Sequence, residues 1–137
     1  GLGNLGEFLL AGGDSQRSRP LLEEALSLLD ESDALCHAHF LGPLAVIRAL
    51  EGDVAEANRL MERASRLQEE VSNPIERAQI QCRWGQVALI GADPDRADEH
   101  MQQAVRIVTD AFGGTPPDDI AGMLARLAAE IEVVRGR

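Results

Sequence analysis

Residues 43–65 read PLAVIRALEGDVAEANRLMERAS, and the fold turns on how this stretch is divided. Two apolar-periodic runs meet at Gly52-Asp53. Downstream of that dipeptide Val54, Ala57, Leu60, Met61, Ala64 and Leu67 recur at steps of three and four, the spacing of one helix face. Asp53 followed by Glu56 supplies an N-cap and a third-position acid where that helix begins. The stretch therefore predicts a helix, a tight turn and a second helix.

The arrangement recurs in residues 4–26, NLGEFLLAGGDSQRSRPLLEEAL, and 83–105, RWGQVALIGADPDRADEHMQQAV. Aligned on Gly13, Gly52 and Ala92, the three copies are spaced by 39 and 40 residues. Small residues match at three offsets: Gly6, Ala45 and Gly85 before the anchor, then Ser18, Ala57 and Ala97, then Ala25, Ala64 and Ala104 after it. Leu22, Met61 and Met101 match as large apolar residues. Small residues at fixed positions let two helices approach closely, and the large residue fills the space above the next pair. Asn73, Pro74 and Glu76 mark another helix start. Beyond Phe112 the linker GGTPPDD leads to a seventh helix, about 117–135, with Ile120, Met123, Leu124, Leu127, Ala128 and Ile131 on one face and Gly136 at its end. Nothing reads as strand.

These positions resemble the tetratricopeptide repeat, whose pattern joins Leu-Gly in a first helix, a Gly-Asp-like turn, and two alanines flanking a large residue in a second helix. The resemblance covers about residues 2–112 and rests on Leu5-Gly6, on Gly13-Asp14 and Gly52-Asp53, and on Ala57/Met61/Ala64 and Ala97/Met101/Ala104. It implies an all-α, right-handed helix-turn-helix solenoid of about three repeats, near 1–32, 33–72 and 73–112, within a single domain spanning 1–137. The period exceeds the usual repeat of about 34 residues and is similar to that of large bacterial regulators, including LuxR-type and other ATP-dependent transcription regulators. Ser18 departs from the alanine pattern, Pro20 lies inside a second helix, and Gly42-Pro43 should kink the third helix. Ala129 stands seven before Gly136, as the small residue does before each anchor. The seventh helix is thus either a C-terminal cap or the first half of a fourth repeat; joint exposure of Leu127 and Val134 would favour the latter.

The opening residues GLGNLG satisfy G-x-G-x-x-G, the pyrophosphate-cradling pattern of dinucleotide-binding folds. That pattern needs a preceding strand and an acid at a second strand end, whereas the corresponding acids, Glu23 and Glu24, fall in a helical segment. Gly6 is better explained as a helix-packing glycine. Gly1 and Leu2 enter a helix without a side-chain cap before them, so the expectation is a fragment of a longer chain.

Net charge of -10 and pI near 4.6 argue against nucleic acid or an anionic membrane as the main ligand, because both require a basic surface. All 13 basic residues are arginine, so lysine-based Schiff-base chemistry is absent. Two cysteines are too few for a disulfide-framed scaffold, and no run of apolar residues is long enough to span a bilayer, which together predict a cytoplasmic protein. Cys36, His37 and His39 form the most metal-like cluster, but a zinc site needs further ligands that only distant Cys82 and His100 offer; a core cysteine with exposed or capping histidines is expected instead. Trp84 reads as packing, and Arg59, Arg63 and Arg66 alternate with Glu56, Glu62 and Glu69 as an ordinary charged face. No catalytic residue, metal or cofactor is predicted.

In the resembled family the first helices line a concave groove that takes extended peptides or helices. Carried over residue by residue, the groove comprises Asn4, Glu7 and Leu10, then His39, Val46 and Leu50, then Cys82, Arg83, Gln86, Leu89 and Ile90. Only Asn4 and Arg83 resemble the clamp with which chaperone-binding relatives hold a terminal carboxylate, so that clamp is not predicted. The expectation is a non-enzymatic interaction module of a regulatory protein, with a protein or peptide partner and with self-association through an exposed end helix. The alternative is an effector sensor that holds a small molecule or short peptide and signals to attached DNA-binding or ATPase domains.

Overall fold

The computed structural model describes residues 1–71 and 73–136; the repeat boundary expected at residue 72 and the domain end at 137 lie outside them. Seven helices and no strand occur among the described residues: α1 (Leu2–Ala11), α2 (Ser15–Leu28), α3 (Ala34–Leu50), α4 (Val54–Val71), α5 (Pro74–Ile90), α6 (Pro94–Phe112) and α7 (Asp118–Val134).

Each tight turn is built from a glycine-like residue and an aspartate. Gly13, Gly52 and Ala92 have φ of 86°, 93° and 61°, and their N–H groups donate to Leu10, Ala49 and Leu89 carbonyls at 2.9 Å. The aspartate that follows donates its N–H five residues back, Asp14 to Leu9, Asp53 to Arg48 and Asp93 to Ala88, at 2.8–2.9 Å. This pair of bonds is the Schellman closure of a helix C-terminus. The same aspartates then open the next helix, their carboxylates accepting from Arg17, Glu56 and Arg96 N–H at 3.1–3.2 Å. Asn73 caps α5 likewise through Glu76 N–H at 3.1 Å, with Pro74 in the first turn. One aspartate thus ends one helix and starts another, which leaves the pair antiparallel.

α1 packs on α2, α3 on α4 and α5 on α6; in addition α1 meets α3, α3 meets α5 and α5 meets α7. The second helices of successive pairs make no such approach to each other among the described residues. Buried small residues govern the close contacts. A Cβ on Gly6 would lie 2.8 Å from Leu22 Cγ, one on Gly3 2.3 Å from the Phe40 ring, and one on Gly85 2.8 Å from Leu127 Cδ2. The second and third glycines of the G-x-G-x-x-G match, Gly3 and Gly6, are therefore excluded from any ligand by Phe40 and Leu22. Ser18, Ala57 and Ala97 are fully buried, as are Ala64, Ala104, Leu22 and Met61, whereas Met101 is half-buried. Ser18 earns its place in this series by donating to the Gly6 carbonyl at 2.5 Å, joining α2 to α1.

Both internal prolines sit within unbroken helices, Pro20 in α2 and Pro43 in α3. Two apolar clusters fill the interior, one around Leu41, Ala45, Met61, Ile80 and Val87 of α3, α4 and α5, the other around Cys82, Ala97, Val108, Ile120 and Ile131 of α5, α6 and α7. α7 divides its residues: Leu127 is buried against α5, while Gly122, Ala125, Ala129, Val133 and Val134 are exposed. Gly136 adopts φ of 76° and donates to Val133 at 3.0 Å, the geometry of the other three anchors. Leu127 and Val134 are not exposed together, so that criterion for the seventh helix is not met.

Candidate functional site

The first helices of the pairs and α7 enclose a recess of about 310 Å³ lined by Leu10 and Ala11 of α1, Val46 and Leu50 of α3, Cys82, Arg83 and Gln86 of α5, and Met123, Arg126 and Leu127 of α7. A smaller pocket of about 40 Å³ adjoins it through Arg83 and Met123 and contains Glu7, His39, Gly42, Glu76, Gln79 and Ile80. Eight of the eleven expected groove positions are thereby brought to these two spaces. Asn4 is exposed outside both, and Leu89 packs against the α5–α6–α7 core; Ile90 likewise joins the other core.

Chemistry at the two ends of this surface differs. In the small pocket His39 is held between two carboxylates, Nε2 at 2.8 Å from Glu7 Oε1 and Nδ1 at 2.9 Å from Glu76 Oε1. The bonds to Glu7 first and Glu76 second raise its pKa from 6.5 to about 10, against the opposing effect of burial. His39 is therefore an imidazolium near neutral pH, and both ring nitrogens donate. The histidine expected to be exposed or capping is instead an ionic link between α1, α3 and α5. Cys36 is half-buried rather than core, and His37 lies 3.2 Å from the Asp30 carbonyl.

In the larger recess Arg83 donates to Gln86 Oε1 at 3.2 Å. Burial lowers its pKa, with Glu7 as the largest opposing charge. It has no carboxylate within 4.0 Å among the described residues. Gly42 makes this position available, since a Cβ there would stand 3.2 Å from Arg83 Cγ. Leu10, Val46, Leu50 and Leu127 line the same recess, which thus joins a cation lacking a carboxylate contact to an apolar wall. Val46 and Cys82 are 7% and 1% exposed. They floor the recess from within the core, and burial lifts the Cys82 thiol to about 11, which keeps it protonated. Leu50, 54% exposed, and Gln86 are the residues a partner reaches.

Trp84 is a packing residue: its indole N–H donates to Asn58 Oδ1 at 2.9 Å and its ring stacks on His100 with centroids 4.6 Å apart. Burial, and then Arg96, lower the His100 pKa to about 4; the neutral ring donates from Nδ1 to Gln81 Oε1 at 2.9 Å.

A second and larger recess, about 580 Å³, lies on the other side of α5, between α4 and α6. Nothing in the sequence reading anticipated it. Its signal was Gln68, which continues the buried series Ala57, Met61, Ala64 by one more step of four, yet is polar. No group of three or more His, Cys, Asp or Glu side chains able to hold a metal ion occurs among the described residues, and no helix is long and apolar enough to cross a membrane. No protein-family model matches the chain, and no curated protein is significantly similar to it in sequence.

Proposed function

We propose that the chain is a tetratricopeptide-like, right-handed solenoid segment of a bacterial cytoplasmic regulator, and that it acts without catalysis by holding a peptide or helix of a partner on the face formed by α1, α3, α5 and α7. The recurrence of the same buried offsets in three hairpins, and the stacking of α1, α3, α5 and α7, support the solenoid. Arg83 carries the binding reading. A half-buried guanidinium without a carboxylate at contact distance is costly, and a partner that brings an acidic group beside aliphatic side chains offsets that cost while covering Leu10 and Leu50. Rigid helices lose little conformational entropy on binding, so the affinity is not spent on ordering the surface.

The test is affinity capture of partners with the wild type and with a Leu50→Glu/Gln86→Arg variant, both verified as helical by circular dichroism. Leu50 and Gln86 are chosen because they are accessible; Val46→Glu would bury a charge and unfold the core instead. A protein retained by wild type and lost by the folded variant is the expected result. The same set retained by both overturns the groove reading. Within that experiment, Arg83→Gln should weaken the captured partner about tenfold or more, the worth of one charged hydrogen bond.

A further inference from the structure

The recess between α4, α5 and α6 is lined by buried Gln68 and Ile80 and half-buried Ile107 and Gln81, with exposed Glu69, Arg77, Arg106 and Asp110 toward its mouth. Gln68 is 2% exposed, and neither its Nε2 nor its Oε1 has a hydrogen-bond partner among the described residues. A buried amide left unsatisfied has given up its water partners and gained none in return, so an apolar residue would serve the core better. The equivalent positions of the other hairpins are apolar: Leu29, the half-buried C-cap of α2, and Val108, 4% exposed, in α6. The glutamine is the exception at a core position, and it borders a space within the range of about 300–1,000 Å³ typical of small-ligand sites.

The charges at the mouth are likewise unspent. Arg77 and Arg106 make no ion pair among the described residues, although Glu69 and Asp110 share the same lining. Gln81 is oriented by His100, which occupies its oxygen and leaves its amide N–H₂ to donate toward the recess. The site therefore presents an amide with a free donor and a free acceptor, two unpaired guanidinium groups, and two carboxylates.

We propose that this recess binds a short zwitterionic peptide: its backbone amide pairs with Gln68, its terminal carboxylate with Arg77 and Arg106, and its terminal ammonium with Asp110 and Glu69. A primary amide matches a peptide group because each offers one carbonyl acceptor and N–H donors. An inorganic anion would satisfy the arginines and leave Gln68 orphaned, and an apolar molecule would satisfy neither. The site stands on the α4–α6 side of α5, shares only buried Ile80 with the pockets of the partner-binding face and does not depend on that face.

The probe is trialanine, with N-acetyl-trialanine amide as the capped control, titrated into isotopically labelled protein and followed by nuclear magnetic resonance. Trialanine should shift the Gln68 side-chain amide and the Arg106 Nε–H resonances, and the capped peptide should bind about tenfold more weakly or worse, the loss of one charge-assisted contact. Gln68→Leu, which restores the residue type of the first hairpin, should remain folded and lose the binding. Exposed Arg106→Gln should weaken trialanine but leave the capped peptide unchanged. Trialanine that binds Gln68→Leu as it binds wild type, or that leaves the Gln68 amide unshifted at millimolar peptide, overturns the proposal; so does equal binding of inorganic phosphate at the same resonances.

Discussion

At the scale of single residues, the turn anchors show how one conformational demand is met with different success. Gly13 and Gly52 carry positive φ at little cost, but Ala92 adopts φ of 61° with a Cβ, which costs about 1 kcal/mol for a non-glycine residue. Ala92→Gly removes that strain and adds backbone freedom to the unfolded chain, opposing effects of which the strain is the larger. The expected outcome is a net stabilisation of about 0.5 kcal/mol, and Gly52→Ala should lose about 1 kcal/mol, both read as urea midpoints at constant slope. A destabilised Ala92→Gly would show that the turn tolerates its alanine without strain. These anchors were legible in the sequence because Gly-Asp and Ala-Asp recur at spacings of 39 and 40 residues. Gln68 was not, since a lone glutamine beside Glu69 reads as part of a polar helix end until its burial is known.

Helix pairing extends the argument from φ to contact. Gly6 and Gly122 both lie inside helices, where alanine gains up to about 1 kcal/mol in propensity over glycine. Packing separates them. A Cβ on Gly122 meets nothing within 4 Å, so Gly122→Ala should stabilise the protein by about 0.5–1 kcal/mol. A Cβ on Gly6 would stand 2.8 Å from Leu22 Cγ and 3.4 Å from Leu22 N, in a site where Leu22 is fully buried. Overpacking costs about 1–3 kcal/mol and outweighs propensity, so Gly6→Ala should destabilise by about 1 kcal/mol, measured by the same unfolding curves. Opposite signs for one substitution type test whether close approach of α1 and α2 is what that glycine provides. The sequence revealed Gly6 through its match to Ala45 and Gly85, but the groove only in part. It assigned Val46 and Cys82 to an accessible surface because positions carried over from the resembled family give a direction and not a depth, and it left out Met123 and Leu127 because no offset rule says that α7 leans across α5 into the recess.

For the molecule as a whole, two histidines bound its stability from opposite sides of neutrality. His39 titrates in the unfolded chain near 6.5 and in the fold at about 10, because Glu7 and Glu76 hold its proton. Its contribution is fully present below 6.5 and is lost as pH rises through 10, where the folded state gives up a proton the unfolded state has already released. His100 titrates in the fold at about 4, chiefly through burial, so the unfolded chain takes up a proton first as pH falls. That penalises the fold increasingly between 6.5 and 4. Stability should therefore be greatest near neutral pH and fall on both sides. His39→Gln should be destabilised at pH 7, since Glu7 and Glu76 lose the cation between them, and should show a flattened alkaline limb from pH 7 to 10. His100→Gln should leave the alkaline limb unchanged and shallow the acid limb relative to wild type, the difference being used because Asp and Glu side chains also titrate there. Because His39 joins α1, α3 and α5, its alkaline loss should appear as a lowered midpoint of a single cooperative transition rather than as separate melting of α1. Hydrogen exchange at pH 9 that released α1 alone, with α3 and α5 as protected as at pH 7, would show instead that the ionic link only tethers one end helix.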